Sequence, residues 1–115
     1  HHDLRAWQLA IGLVKETYAL TSTFPKDEIY TLTSQMRRAP ISIPSNIAEG
    51  AARLGTKEFD QFLGISRGSL SELETQLHIA RQLGYVRGVT ELDTAITELF
   101  RVIGGLMDSL RSKEK

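Results

Sequence analysis

Apolar residues return at every third or fourth position along almost the whole chain, the step of a helical face and not the two-residue repeat of a strand. That periodicity points to an all-α fold. Leu4, Trp7, Ile11, Val14 and Tyr18 form the first stripe, and the turn chemistry of Thr21-Ser22-Thr23-Phe24-Pro25-Lys26-Asp27 closes it, predicting a helix over residues 3–21. The second stripe, Ile29, Leu32, Met36, Ala39, Ile43, Ile47 and Gly50, keeps its register through Pro40 and Pro44 and predicts a helix over 28–54. A proline inside a helix removes one backbone hydrogen bond and costs roughly 3 kcal/mol, so this helix is expected to be kinked at Pro40/Pro44. Ser42 and Ser45 are placed to bond the freed carbonyls, and two short helices split near residues 40–44 are the alternative.

Thr56 is the expected N-cap of a third helix over 56–84, with Phe59, Phe62, Leu63, Ser66, Leu70, Leu73, Leu77 and Ala80 on its inner face and Gly84 at its end. Leu92, Ala95, Ile96, Leu99, Val102, Ile103, Leu106 and Leu110 predict a fourth helix over 89–112, capped by Thr90 and fraying in Lys113-Glu114-Lys115. Four helices with short connections imply an antiparallel four-helix bundle, one domain spanning residues 1–115. Trp7, Met36, Phe62, Leu73, Leu77 and Leu99 are the expected buried anchors.

With 41% apolar and 24% charged residues in 115, the chain suits one globular domain and not a disordered one. No apolar run approaches the roughly 18 residues of a membrane span. The absence of cysteine removes disulfides, thiol catalysis and thiolate metal sites, and with no signal-like opening a cytoplasmic location is expected. His1 and His2 fit a tag remnant as well as native sequence, which leaves His78 as the one informative histidine.

No catalytic, cofactor or metal site is expected. A di-iron bundle needs Glu-x-x-His pairs, and none occurs. Glu74 and His78 stand four apart on a face continuing to Arg67 and Arg81, which reads as a solvated charge stripe. The serines lack a base or nucleophile elbow, and Gly64, Gly68, Gly104 and Gly105 match no phosphate loop, so close helix packing is their expected role. Gln35, Asn46, Glu49, Glu72 and Gln76 are the polar groups nearest the stripes, suited to a network between helices 2 and 3, while Glu49 can instead pair with Arg53.

Two helices carry a further apolar line: Ala6, Leu9, Leu13 and Leu20 on helix 1, and Ile65, Ser69, Glu72, Gln76, Ile79 and Leu83 on helix 3. Either these are flanks of one wide stripe, or they are a second face seeking a second neighbour. On the second reading Leu9, Leu13, Ile65, Glu72, Gln76 and Ile79 form a homo-oligomer interface. Fourteen basic residues balance fourteen acidic ones over the chain, yet Arg37, Arg38, Arg53 and Lys57 face only Glu49 between residues 37 and 57. Repeated around an oligomer, that excess is the kind of local field that holds a nucleic-acid backbone. A protein-interaction scaffold, with those cations merely paired to acids, is the competing expectation.

Leu32-Thr33-Ser34-Gln35-Met36-Arg37-Arg38-Ala39 followed by Ile41-Ser42-Ile43-Pro44-Ser45-Asn46-Ile47-Ala48-Glu49-Gly50 resembles the signature of the bacterial 23S rRNA intervening-sequence proteins. The likeness continues in Asp3-Leu4-Arg5-Ala6-Trp7-Gln8, Lys57-Glu58-Phe59, Phe62-Leu63, Gly68 to Leu77 and Leu83-Gly84-Tyr85, with helix 4 similar by pattern. Pro40 departs from the family pattern, which carries a small residue there. The resemblance implies a four-helix bundle assembled as a ring-shaped homopentamer, encoded in some bacteria within an insertion in the 23S rRNA gene. Related proteins of this fold serve as accessory factors of diversity-generating retroelements, binding nucleic acid and a reverse transcriptase. The expected partners are therefore a second copy, RNA or another nucleic acid, and a protein, without a membrane.

Overall fold

A computed structural model describes residues 2–113, the side chain of His2 excepted. His1, Glu114 and Lys115 lie outside the described residues, and with them the question of a tag and most of the expected frayed end. Helices α1 (His2–Thr21), α2 (Leu32–Ala51), α3 (Thr56–Gln82) and α4 (Glu91–Lys113) follow in order, with a 3-10 turn at Lys26–Glu28 and no strand among the described residues. Each helix packs on its neighbours in sequence and α4 closes on α1, whereas the backbones of the diagonal pairs α1–α3 and α2–α4 stay apart across the core. This is the expected four-helix bundle, 49 × 24 × 19 Å.

The core is built from Met36, Ile43, Ile47, Leu63, Leu70, Leu73, Leu77, Leu92, Ile96, Leu99 and Ile103, with Leu13 from α1. On α1 the faces are the reverse of expectation. Ala6, Ala10, Leu13, Thr17 and Thr21 turn inward, while Leu4 and the expected anchor Trp7 are exposed together with Ile11 and Tyr18. α1 is apolar on two sides, so periodicity does not choose between them; the buried side is the one with small residues and self-satisfied hydroxyls. Thr17 donates to the Leu13 carbonyl and Thr21 to the Thr17 carbonyl, each at 2.8 Å, so neither threonine is left unpaired in the core. Phe62 is half-buried rather than buried.

α2 runs unbroken through Pro40 and Pro44, both buried, which sets aside the split-helix alternative. The serines do not cap the carbonyls that the prolines free, those of Met36 and Pro40; Ser42 bonds the Ala39 carbonyl at 2.9 Å and Ser45 the Ile41 carbonyl at 3.1 Å. α2 starts at Leu32, later than expected, because residues 25–31 form tight turns, with Glu28 N–H bonded to the Pro25 carbonyl and Thr31 N–H to the Glu28 carbonyl. Thr56 is the first residue of α3, and extended Gly55 precedes it in the cap position. α3 ends as a Schellman motif: Gly84 has φ +84°, its N–H meets the Arg81 carbonyl, and Tyr85 N–H meets the Ala80 carbonyl. Thr90 caps α4 as expected, its hydroxyl facing Asp93 N–H while Asp93 accepts from Thr90 N–H at 2.7 Å.

One glycine is held by close packing. A Cβ on Gly50 would lie 2.7 Å from Phe62 Cβ and 2.9 Å from Phe59 Cδ1, so α2 meets α3 here with no room for a side chain. Gly64, Gly68, Gly104 and Gly105 have nothing within 4 Å of that position, so close packing within this chain does not account for them.

Candidate assembly and nucleic-acid surfaces

The four candidate phosphate-contacting cations fall at the two ends of α2. Arg37 and Arg38 lie in its second turn, and Arg53 and Lys57 lie at the turn into α3, roughly 20 Å farther along at 1.5 Å per residue. On one chain they make two separate positive points. Arg37 is fixed: its Nε donates to Thr21 Oγ1 at 2.8 Å, and its guanidinium stacks 4.7 Å from the centre of the Tyr18 ring. Arg53 pairs with Glu49 at 2.7 Å, as the spacing predicts, and lies 5.2 Å from the Phe62 ring centre. Arg38 and Lys57 are exposed and have no acid partner among the described residues.

The expected interface residues divide as well. Ile65, Glu72 and Ile79 are exposed on α3, and Leu9 is half-buried against the core. Leu13 is fully buried and Gln76 is 6% exposed, so these two are interior residues of the bundle and not contact points. The apolar surface on α1 belongs instead to Leu4, Trp7, Ile11 and Tyr18, and Ile41 continues it on α2. Leu4 and Trp7 line a shallow groove with Ala48 and Ala51, of about 330 Å³ and almost wholly apolar. These α1 positions were assigned to the core by the same periodicity that makes them a continuous stripe, which is why sequence reasoning missed the surface.

The polar link between α2 and α3 is made by serines, not by the amides and carboxylates expected there. Ser42 and Ser69 share a 2.6 Å hydrogen bond, and Ser66 donates to the Ile43 carbonyl at 3.2 Å. Asn46 bonds the Ser42 carbonyl within its own helix, and Gln76 Nε2 faces Glu72 at 3.4 Å while its buried Oε1 has no partner.

Several other charges are paired across or along the helices. Glu98 takes Arg101 and Arg5 at 2.6 and 3.0 Å, and the Arg101 hydrogen bond, ahead of Arg5, holds its carboxyl below the usual range. Burial pushes the Asp93 carboxyl up, but hydrogen bonds from Thr90 and Arg81 outweigh it and set the group low. Hydrogen bonds from Thr31 and Tyr85 do the same for Glu28, joining the α1–α2 turn to the α3–α4 turn. Glu74 and His78 are both exposed on α3, and among the described residues no three His, Asp or Glu groups cluster as metal ligands. No helix among them is long and apolar enough to cross a membrane.

Comparison with known proteins bears on these surfaces through their fold. A family model described as 23S rRNA-intervening sequence protein matches residues 2–105. Among curated proteins no sequence matches. A solved structure from Bacteroides thetaiotaomicron VPI-5482, a protein with unknown function from the S23 ribosomal protein family, superposes with a TM-score of 0.80 at 17% identity. The superposition covers 94% of this chain and 99% of that one, which establishes the shared bundle.

Proposed function

This chain belongs to the 23S rRNA-intervening sequence protein family, and we propose that it is a non-enzymatic bundle that works as a homo-oligomer and binds RNA in that assembled form. The exposed stripe of Leu4, Trp7 and Ile11 carries the reading. A contiguous apolar band of this kind on a small domain marks an interaction site. Ile65, Ile79 and Leu83 offer a second exposed apolar set on α3, chemically similar but on a different helix. Two separate faces on different helices suit a head-to-tail contact, which closes into a ring when the rotation allows. The count of five is taken from the family resemblance.

RNA enters through Arg38 and Lys57, exposed and without an acid partner among the described residues, and through Arg37, held by Thr21 and Tyr18 but by no acid, while Arg53 is held only by an exposed i,i+4 pair worth a few tenths of a kcal/mol. One subunit offers few contacts, so affinity comes from several copies acting on one strand. Contacts to phosphates position a strand without specifying its sequence. RNA binding measured across a salt series tests the reading: affinity is expected to fall steeply with salt, by a slope set by the number of phosphates neutralised. An assembled protein with no RNA binding at low salt would leave a protein-interaction scaffold.

A further inference from the structure

Where the last turn of α1 meets the start of α2, an open pocket of about 350 Å³ is walled by Tyr18, Thr33, Ser34, Arg37 and Arg38. Ile29 and Ile41 complete it, both half exposed. We infer that this pocket binds the phosphate of a nucleotide, either free or as one unit of a single strand. Its size lies within the range of about 300–1,000 Å³ usual for small-ligand sites.

The charge of the lining is the first reason. Two guanidinium groups face this pocket and no carboxylate lines it. The other pockets that hold arginines are self-neutralised. Arg5 and Arg101 share Glu98, and Arg111 Nε meets Asp60 at 3.2 Å. Arg37 is also pre-positioned, anchored on Thr21 Oγ1 and the Tyr18 ring, with Nη2 3.5 Å from the Tyr18 carbonyl, so a planar fork stands ready with donors to spare. Arg38 beside it is uncommitted.

Thr33 is the second reason. It is only 5% exposed, yet its hydroxyl makes no hydrogen bond among the described residues. Its oxygen is not sealed from the pocket, so the hydroxyl is placed to donate to a phosphate oxygen there. Ser34 adds a second free hydroxyl to the same lining. Both belong to the first turn of a 20-residue helix whose N-cap residue, Thr31, makes no side-chain cap, so the positive end of the helix dipole adds to the field. The exposed ring of Tyr18 and the side chains of Ile29 and Ile41 supply an apolar wall for a base or sugar, which favours a nucleotide over phosphate alone.

The inference rests on the RNA reading only for the source of the phosphate, and the experiment separates the two. The full chain is titrated with inorganic phosphate, with uridine monophosphate and with a short single-stranded RNA, followed by calorimetry and by amide chemical shifts. Saturable shifts are expected at Thr33, Ser34 and Arg38, with the nucleotide binding more tightly than phosphate. Arg38→Gln is expected to weaken nucleotide binding about tenfold or more, the size of a lost hydrogen bond to a charged group, and near-isosteric Thr33→Val to weaken it several-fold with the fold intact. Nucleotide binding at these residues with no gain in affinity for RNA would keep the pocket and overturn the RNA reading. RNA binding that leaves these residues unshifted and both variants unaffected would overturn the pocket and keep the RNA reading.

Discussion

Gly50 and the open glycines make opposite demands on the same substitution. Gly50→Ala drives a methyl group against Phe62 and Phe59 and is expected to destabilise by about 1–3 kcal/mol through overpacking. Gly64→Ala and Gly68→Ala meet nothing in this chain, and each should stabilise the isolated bundle by about 0.5–1 kcal/mol through helix propensity. Urea unfolding of the three variants checks both directions. Leu73, fully buried, should lose about 2–5 kcal/mol on replacement by Ala, whereas Leu54→Ala, at a fully exposed position, should leave the stability of the monomer within about 0.5 kcal/mol. Met36, Leu73, Leu77 and Leu99 were legible as core because each lies in the main apolar stripe of its helix, and that stripe is the one the bundle buries. Trp7 was not, because size and apolarity mark a side chain for burial without saying whether its own chain supplies the cover.

At the scale of the element, α2 shows what the prolines cost and what offsets it. A stripe that keeps its register through Pro40 and Pro44 was enough to place one helix there, and both rings are buried at its packed face. The tight turns over 25–31 were not legible, since Ile29 fits the helical step as well as Leu32 does. α1 is the clearest limit: two apolar sides give two equal answers, and the choice is made by packing of Ala6 and Ala10 rather than by pattern. The joint between α3 and α4 depends on ionisation. Asp93 has a folded pKa below its unfolded value, so the stability it contributes is complete above the ordinary carboxylate range and is lost as pH falls through the lowered value. As pH falls through that lowered value, the Thr90 amide, which Asp93 caps, is expected to lose hydrogen-exchange protection ahead of the core amides of Leu73 and Leu99. Uniform loss across all three would contradict that order.

The whole molecule is a 49 Å rod that leaves apolar stripes on α1 and α3 uncovered, the two faces proposed to meet in the assembly. The basic candidates were legible as residue types but not as a patch, because sequence proximity between residues 37 and 57 becomes two ends of a helix in space. Replacing Arg38 and Arg53 together by Gln should lower RNA affinity and flatten its salt dependence while leaving the assembly intact, as binding titrations at two salt concentrations would report. An Ile79→Glu change should weaken the assembly by burying an unpaired charge. The most direct measurement is the solution mass of the parent protein and of a Trp7→Glu, Ile11→Glu double variant by light scattering at micromolar concentration. A discrete multiple of the chain mass is expected for the parent and a folded monomer for the variant; a parent protein with the mass of one chain would contradict the proposed assembly.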